Sequence, residues 1–195
     1  MTIRQRILAI ATVIASFVPN IAFSERADRE KAMDISSKYG LYEGTKETNV
    51  KKLEGDVLIE RGTMRITAER AIVKETVDGM FAELFGKNTG PITFRQKREG
   101  ENDFVEASAD RAEYDDKTGT IKLYSKVRFK SGGDLMESEY MVYNTYSEKM
   151  ELRNQIPGTK STTGADEGRV VFKVLPRTQS VTPPVDGKTP AVSKK

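Results

Sequence analysis

Between Glu25 and Leu175 the chain alternates apolar and polar residues with a period of two far more often than it shows a helical period. Val57 and Ile59 alternate with Leu58 and Glu60, and Met64, Ile66 and Ala68 with Arg65, Thr67 and Glu69. The same parity recurs at Ile92 and Phe94, Ile121 and Leu123, Val127 and Phe129, and Val170 and Phe172. Each run is short and ends in turn residues: Glu60-Arg61-Gly62, Asp115-Asp116-Lys117-Thr118-Gly119, Ser131-Gly132-Gly133-Asp134. Gly119 suits the left-handed position of a hairpin loop, where a side chain is costly. Many short strands at close spacing predict an all-β sandwich, barrel or roll. Only Glu25–Lys38 has the pattern for a short helix.

The pattern also repeats. A shift of 70 residues lays Leu53–Val73 over Leu123–Tyr143, so that Leu53, Val57, Gly62 and Glu69 meet Leu123, Val127, Gly132 and Glu139. Apolar parity coincides as well, with Ile59 over Phe129 and Ile66 over Met136. The unit is a strand, a glycine turn, a second strand, a small residue and a further apolar pair. At the small residue the alternation changes register, from Ile66 and Ala68 to Ala71 and Val73. A strand bending sharply at Ala68, and again at Ser138, would have this effect. Stacked bent strands form a curved sheet or flattened roll with an apolar interior.

Composition narrows the chemistry. The 195 residues include no Cys, His or Trp, which excludes disulfides, thiol nucleophiles, histidine-based triads and His or Cys metal sites. Acidic residues are plentiful, but Glu60, Glu69, Glu139 and Glu148 fall at turns or on outward parity, and Asp115 and Asp116 fall in a hairpin loop. A solvated face explains them better than a pair of catalytic carboxylates. No phosphate-cradling glycine loop or calcium loop is present. Tyr140, Tyr143 and Tyr146 read as strand aromatics rather than a sugar platform. No catalytic residue, metal or cofactor is expected, and the chain does not read as an enzyme.

The formal charge of +3 divides unevenly. Residues 1–24 read as a secretory signal peptide: Arg4 and Arg6, then an apolar or small run from Ile7 to Val18, then Ala22-Phe23-Ser24 before a cleavage site near Ser24. That run is shorter than the roughly 17–25 residues of a spanning helix, so export to the periplasm is expected. Residues 176–195 hold four of the seven prolines and a charge of +3, the composition of a disordered Pro-rich basic tail. The intervening domain, 25–175, keeps 26 basic against 28 acidic residues, a net −2. Nucleic-acid binding needs its basic excess on a folded face and is disfavoured here.

The segment L-x-G-x-V-x-I-x-x-G-x-M-x-I-x-A-x-x-A-x-V, Leu53–Val73, closely resembles the signature of the OstA-like family. Val105–Tyr114 followed by Lys117-Thr118-Gly119 is similar to that family's second unit, and the likeness covers about Ile35–Leu175. The second unit departs from the first at Arg128, Ser131 and Asp134, which replace Leu58, Arg61 and Met64. The resemblance implies a twisted β-jellyroll of bent antiparallel strands with an apolar groove. It also implies lipopolysaccharide as cargo, bound through its lipid A acyl chains. Copies would add head to tail, edge strand to edge strand, linking LptC at the inner membrane to LptD/LptE at the outer membrane. On inward parity the candidate lining is Val57, Ile59, Met64, Ile66, Ala71, Val73, Ile92, Phe94, Val127, Phe129, Met136, Met141 and Leu152. Parity alone fits a groove wall and the filled core of a closed sandwich equally well. A carbohydrate-active β-roll enzyme or a structural envelope protein is the alternative reading. The edges are expected around Ile35–Tyr42 and Val170–Leu175.

Overall fold

A computed structural model of the chain describes residues 28, 30–87, 90–159 and 169–175. The signal peptide and the tail expected from the sequence lie outside the described residues. Among the described residues twelve strands join in one antiparallel sheet. In chain order they are β1 (Asp34–Ser36), β2 (Tyr39–Gly44), β3 (Thr48–Arg61), β4 (Met64–Thr76), β5 (Gly79–Phe85) and β6 (Ile92–Lys97). Then follow β7 (Phe104–Ala109), β8 (Arg111–Asp115), β9 (Thr120–Ser131), β10 (Asp134–Asn144), β11 (Met150–Arg153) and β12 (Val171–Lys173). Asp34–Ser36 is strand, so this part of the stretch read as a possible helix pairs with β3 instead.

The sheet folds over on itself because its long strands bend. The first half of β3 pairs with β2 and the second half of β4, while its second half pairs with β1 and the first half of β4. β9 and β10 divide in the same way, β9 between β8 and β7, β10 between β11 and β12. Each rung therefore has one arm in each of two layers. The rungs run β1/β2, β3, β4, β6/β5, β7/β8, β9, β10 and β12/β11, which makes eight.

The bend lies one residue beyond the position expected from the alternation, and it involves both strands. Glu54 pairs with Arg70 and Val57 with Ala68, so Gly55 and Asp56 together face Glu69. Gly55 and Asp56 have φ of 77° and 47°. Seventy residues on, Ser125 and Lys126 (φ 63° and 51°) face Glu139 between the pairs Tyr124–Tyr140 and Val127–Ser138. Two successive left-handed residues against one extended residue re-aim the strand into the other layer. Only the first copy supplies a glycine; Ser125 and Lys126 hold a conformation that side chains adopt reluctantly.

The hairpin turns confirm the register. Arg61 pairs with Met64 across Gly62-Thr63, with only Gly62 (φ 59°) left-handed. Ser131 pairs with Asp134 across Gly132 (φ 56°) and Gly133 (φ 92°), the two-residue turn that needs both positions left-handed. Gly119 is also left-handed, at 63°. Arg128 takes the outward parity of Leu58, whereas Ser131 and Asp134 stand on inward parity beside the turn, so the apolar inner face of the second unit stops at Phe129 and Met136.

Candidate functional site

Inward parity converges on one interior. The thirteen candidate residues all face it: eleven are buried, and Met136 and Leu152 are partly buried and pack against them. One arm of the rungs contributes Val57, Ile59, Met64, Ile66, Ile92, Phe94, Val127, Phe129 and Met136. The other contributes Ala71, Val73, Met141 and Leu152. The two walls meet, and Ile59, Ile66, Ile92 and Phe129 are 0% exposed. In this state the groove is filled by its own side chains. Phe94 and Phe129 span the gap to Tyr143 on the opposite wall, with ring centroids 5.9 and 5.2 Å apart, separations at which aromatic pairs attract.

The same wall includes residues that the sequence reading left out: Leu53, Met80, Ala82, Leu84, Val105, Ala107, Ala109, Ala112, Tyr114, Ile121, Leu123 and Tyr143. Ile121 and Leu123 carry the period-two signal outright. The runs Met80–Leu84 and Val105–Tyr114 carry it weakly, since apolar Phe81 takes outward parity in the first and the second presents small alanines on its inner face. The three tyrosines read as one cluster occupy three separate places. Tyr140 packs on Tyr124 at 5.2 Å on the outer face, Tyr143 lies inside, and the Tyr146 hydroxyl donates to the Asp116 carbonyl at 2.7 Å.

Along each rung the inner face changes character with distance from the bend. Val57 and Ile59 lead to Arg61; Ile92 and Phe94 lead to Gln96 and Arg98; Ala112 and Tyr114 lead to Asp116. The interior is thus apolar at the bends and polar along the seam where the turn ends of the two layers face each other. Arg61 of β3 crosses this seam to Asp116, one guanidinium nitrogen donating to Oδ1 and the other to Oδ2 at 3.0 Å. Their side chains are 15% and 19% exposed. Burial works against the Arg61 charge, but the Asp116 carboxylate holds the guanidinium above its ordinary basicity. Arg98 crosses to Glu148 at 3.3 Å, and the Glu99 amide donates to the same carboxylate at 2.8 Å. Glu148 itself is left-handed, with φ 55°. Beneath them, burial pushes the Tyr114 phenol up well beyond its ordinary value.

Asp28 closes one end of the seam. Its carboxylate accepts from the Thr63 amide and hydroxyl, both at 2.7 Å, and from Lys31 at 2.7 Å. Burial opposes the charge, yet these donors hold its pKa below the ordinary carboxylate value. The ends of the ladder differ from its middle. At one end β2 is exposed throughout, with Tyr39 and Tyr42 each 60% exposed. At the other, Phe172 pairs with Met136 on the inner face, yet it is 59% exposed because no further rung covers it.

An antiparallel jellyroll with amphipathic rungs, apolar at the bend and polar at the seam, defines the class of protein. The model of one family, described as LptA/(LptD N-terminal domain) LPS transport protein, matches residues 36–149. The chain belongs to that family, which makes it a lipopolysaccharide transport protein. The segment whose repeat resembles the OstA-like signature lies inside the matched span. Sixteen chains of solved structures also match. One is LptH of Pseudomonas aeruginosa, described as the LptA homologous periplasmic component of the conserved lipopolysaccharide transport device. It is 20% identical, with a TM-score of 0.66 over 76% of this chain and 99% of that one, a likeness of fold. No curated protein matches the sequence.

Proposed function

We propose that this chain works in the periplasm as a link in a lipopolysaccharide bridge, holding lipid A acyl chains among the inner-face residues of its rungs. The observation that carries this reading is the continuous apolar inner face, from Val57 in β3 to Met141 in β10, in a chain of this family. An acyl chain of about 12 methylenes left in water costs on the order of 10 kcal/mol at roughly 0.8 kcal/mol each. Several chains per molecule rule out free diffusion, so shielding has to extend along the whole route. Non-directional apolar contacts suit sliding, because no single contact traps the cargo.

Two exposed apolar edges support assembly. β2 presents Tyr39, Leu41 and Tyr42, and the β12 edge presents Val171, Phe172, Val174 and Leu175. Unpaired strand edges of this kind accept further strands. Addition of one copy's last rung to another's first is heterologous and need not close into a ring. LptC at the inner membrane and LptD/LptE at the outer membrane would join by the same edge-strand addition, and residues 1–24 would direct export.

The test is a photo-crosslinking residue at Ile66, in the wall, beside one at Thr67, on the outer face. In cells the first is expected to capture lipopolysaccharide and the second not. Capture at Thr67 without capture at Ile66 would overturn the reading.

A further inference from the structure

The polar seam has no part in shielding acyl chains, and its composition calls for an explanation. It places arginines at the ends of inner faces that are otherwise apolar; Arg61 and Arg98 reach Asp116 and Glu148 of the opposite layer, and Arg98 also pairs with Glu101 of its own turn at 2.5 Å. Two buried polar atoms, Nε of Arg61 and Oε1 of Gln96, have no hydrogen-bond partner among the described residues. Both residues line a cavity of about 30 Å³ at the seam, together with Met64 and Tyr114 of the apolar wall, Lys97, and the acidic Asp28, Glu99 and Glu148. An unsatisfied buried polar group costs free energy, and Nε is a donor of Arg61 that Asp116 does not engage.

We propose that this seam is the anion site of the groove, where Arg61 exchanges Asp116 for a phosphate of the lipid head when acyl chains enter between the layers. The inference rests on the lipid-carrying reading above and adds to it the position and chemistry of the head group. The rung gradient matches an amphiphile with apolar chains toward the bend and an anionic head at the seam. A tetrahedral phosphate offers more acceptor oxygens than a carboxylate and can reach Nε as well as the terminal nitrogens. Without lipid, Asp116 neutralises Arg61 and ties the layers together, and Glu148 does the same for Arg98. The exchange therefore couples opening of the seam to arrival of the head group.

The experiment uses the full chain and binding of purified lipopolysaccharide, with its dephosphorylated form and inorganic phosphate as separate arms. Arg61→Gln is expected to weaken binding of the phosphorylated lipid about 10-fold and to leave the dephosphorylated form unchanged. Arg61→Lys should retain most of the affinity, and Asp116→Asn, which removes the competing carboxylate, should tighten it several-fold. The cysteine-free sequence allows spin labels at Glu60→Cys and Lys117→Cys to read the distance across the seam in the otherwise native chain. Lipopolysaccharide should lengthen this distance and inorganic phosphate should not. Equal losses for both lipid forms in Arg61→Gln would overturn the proposal, as would a seam that stays closed with lipid bound. If the native chain binds no lipopolysaccharide at all, the lipid-carrying reading falls with it. If binding persists but is indifferent to Arg61 and Asp116, only the anion site falls.

Discussion

Replacing Phe94 by alanine distinguishes a wall that meets lipid from one that only fills a core. Phe94 is 1% exposed, lies between Ile66 and Ala107 on neighbouring strands, and reaches across to the Tyr143 ring. A buried Phe→Ala change costs about 3–5 kcal/mol, lost transfer energy and residual cavity together. At roughly 2–4 °C per kcal/mol for a chain of this size, the melting temperature without lipid should fall by about 6–20 °C. With lipopolysaccharide bound, an acyl chain in the groove can occupy the space that the ring leaves. Three or four methylenes moved into it, at about 0.8 kcal/mol each, recover roughly 3 kcal/mol. The shift in the loaded protein should therefore be less than half that in the free protein. Thermal denaturation of native and variant chains, each with and without saturating lipopolysaccharide, measures the difference directly. Equal shifts in the two conditions, with the native protein clearly stabilised by lipid, would refute the reasoning and place Phe94 in a core that lipid never touches.

Two further expectations concern the ends of the molecule. Because the folded pKa of Asp28 lies below its unfolded value, its anchoring of Thr63 should be intact above about pH 4 and lost only as pH falls through the depressed folded value. Hydrogen-exchange protection of the Thr63 amide, compared between the native chain and Asp28→Asn, reads this; loss of protection beginning above pH 5 would contradict it. At the β12 edge, Phe172→Glu with Leu175→Glu should abolish concentration-dependent self-association in light scattering. Both side chains are mostly exposed, so the melting temperature should move by no more than a few degrees; unchanged association would show that this edge is not used.

Alternation was enough to read most of the fold from the sequence, because a sheet buried on one face writes its parity into the chain. Val57, Ile59, Met64 and Ile66 declare one face outright, and the 70-residue echo repeats it. The bend was displaced by one residue because the change of parity at Ala68 marks only one strand of the corner. Its partner, Gly55-Asp56, shows no signal by period, and its later counterpart Ser125-Lys126 lacks even the glycine. The strands around Met80–Leu84 and Val105–Tyr114 escaped for different reasons: outward Phe81 masks the parity of the first, and small alanines weaken that of the second. The polar seam was the least legible part. Arg61, Asp116 and Glu148 were read as turn and loop residues, which they are by position. Their pairing joins residues 55 and 50 positions apart, Arg61 with Asp116 and Arg98 with Glu148, and no local pattern records such a match.

The eight rungs make the backbone ladder nearly one-dimensional: its strand pairing joins each rung only to its two neighbours, while Arg61–Asp116 and Phe94–Tyr143 join rungs further apart across the interior. Neighbouring strands lie about 4.8 Å apart, so the ladder is roughly 35 Å long. The repeated units, β3/β4 and β9/β10, sit four rungs apart, so the sequence period is also a distance along the axis. In such a ladder the terminal rungs have one neighbour each and fray first. A second copy that pairs with a terminal rung supplies the missing coupling and lengthens the ladder in the same step. Growth of a chain of copies and stabilisation of each copy's ends are then one process, and the span reached is counted in whole ladders.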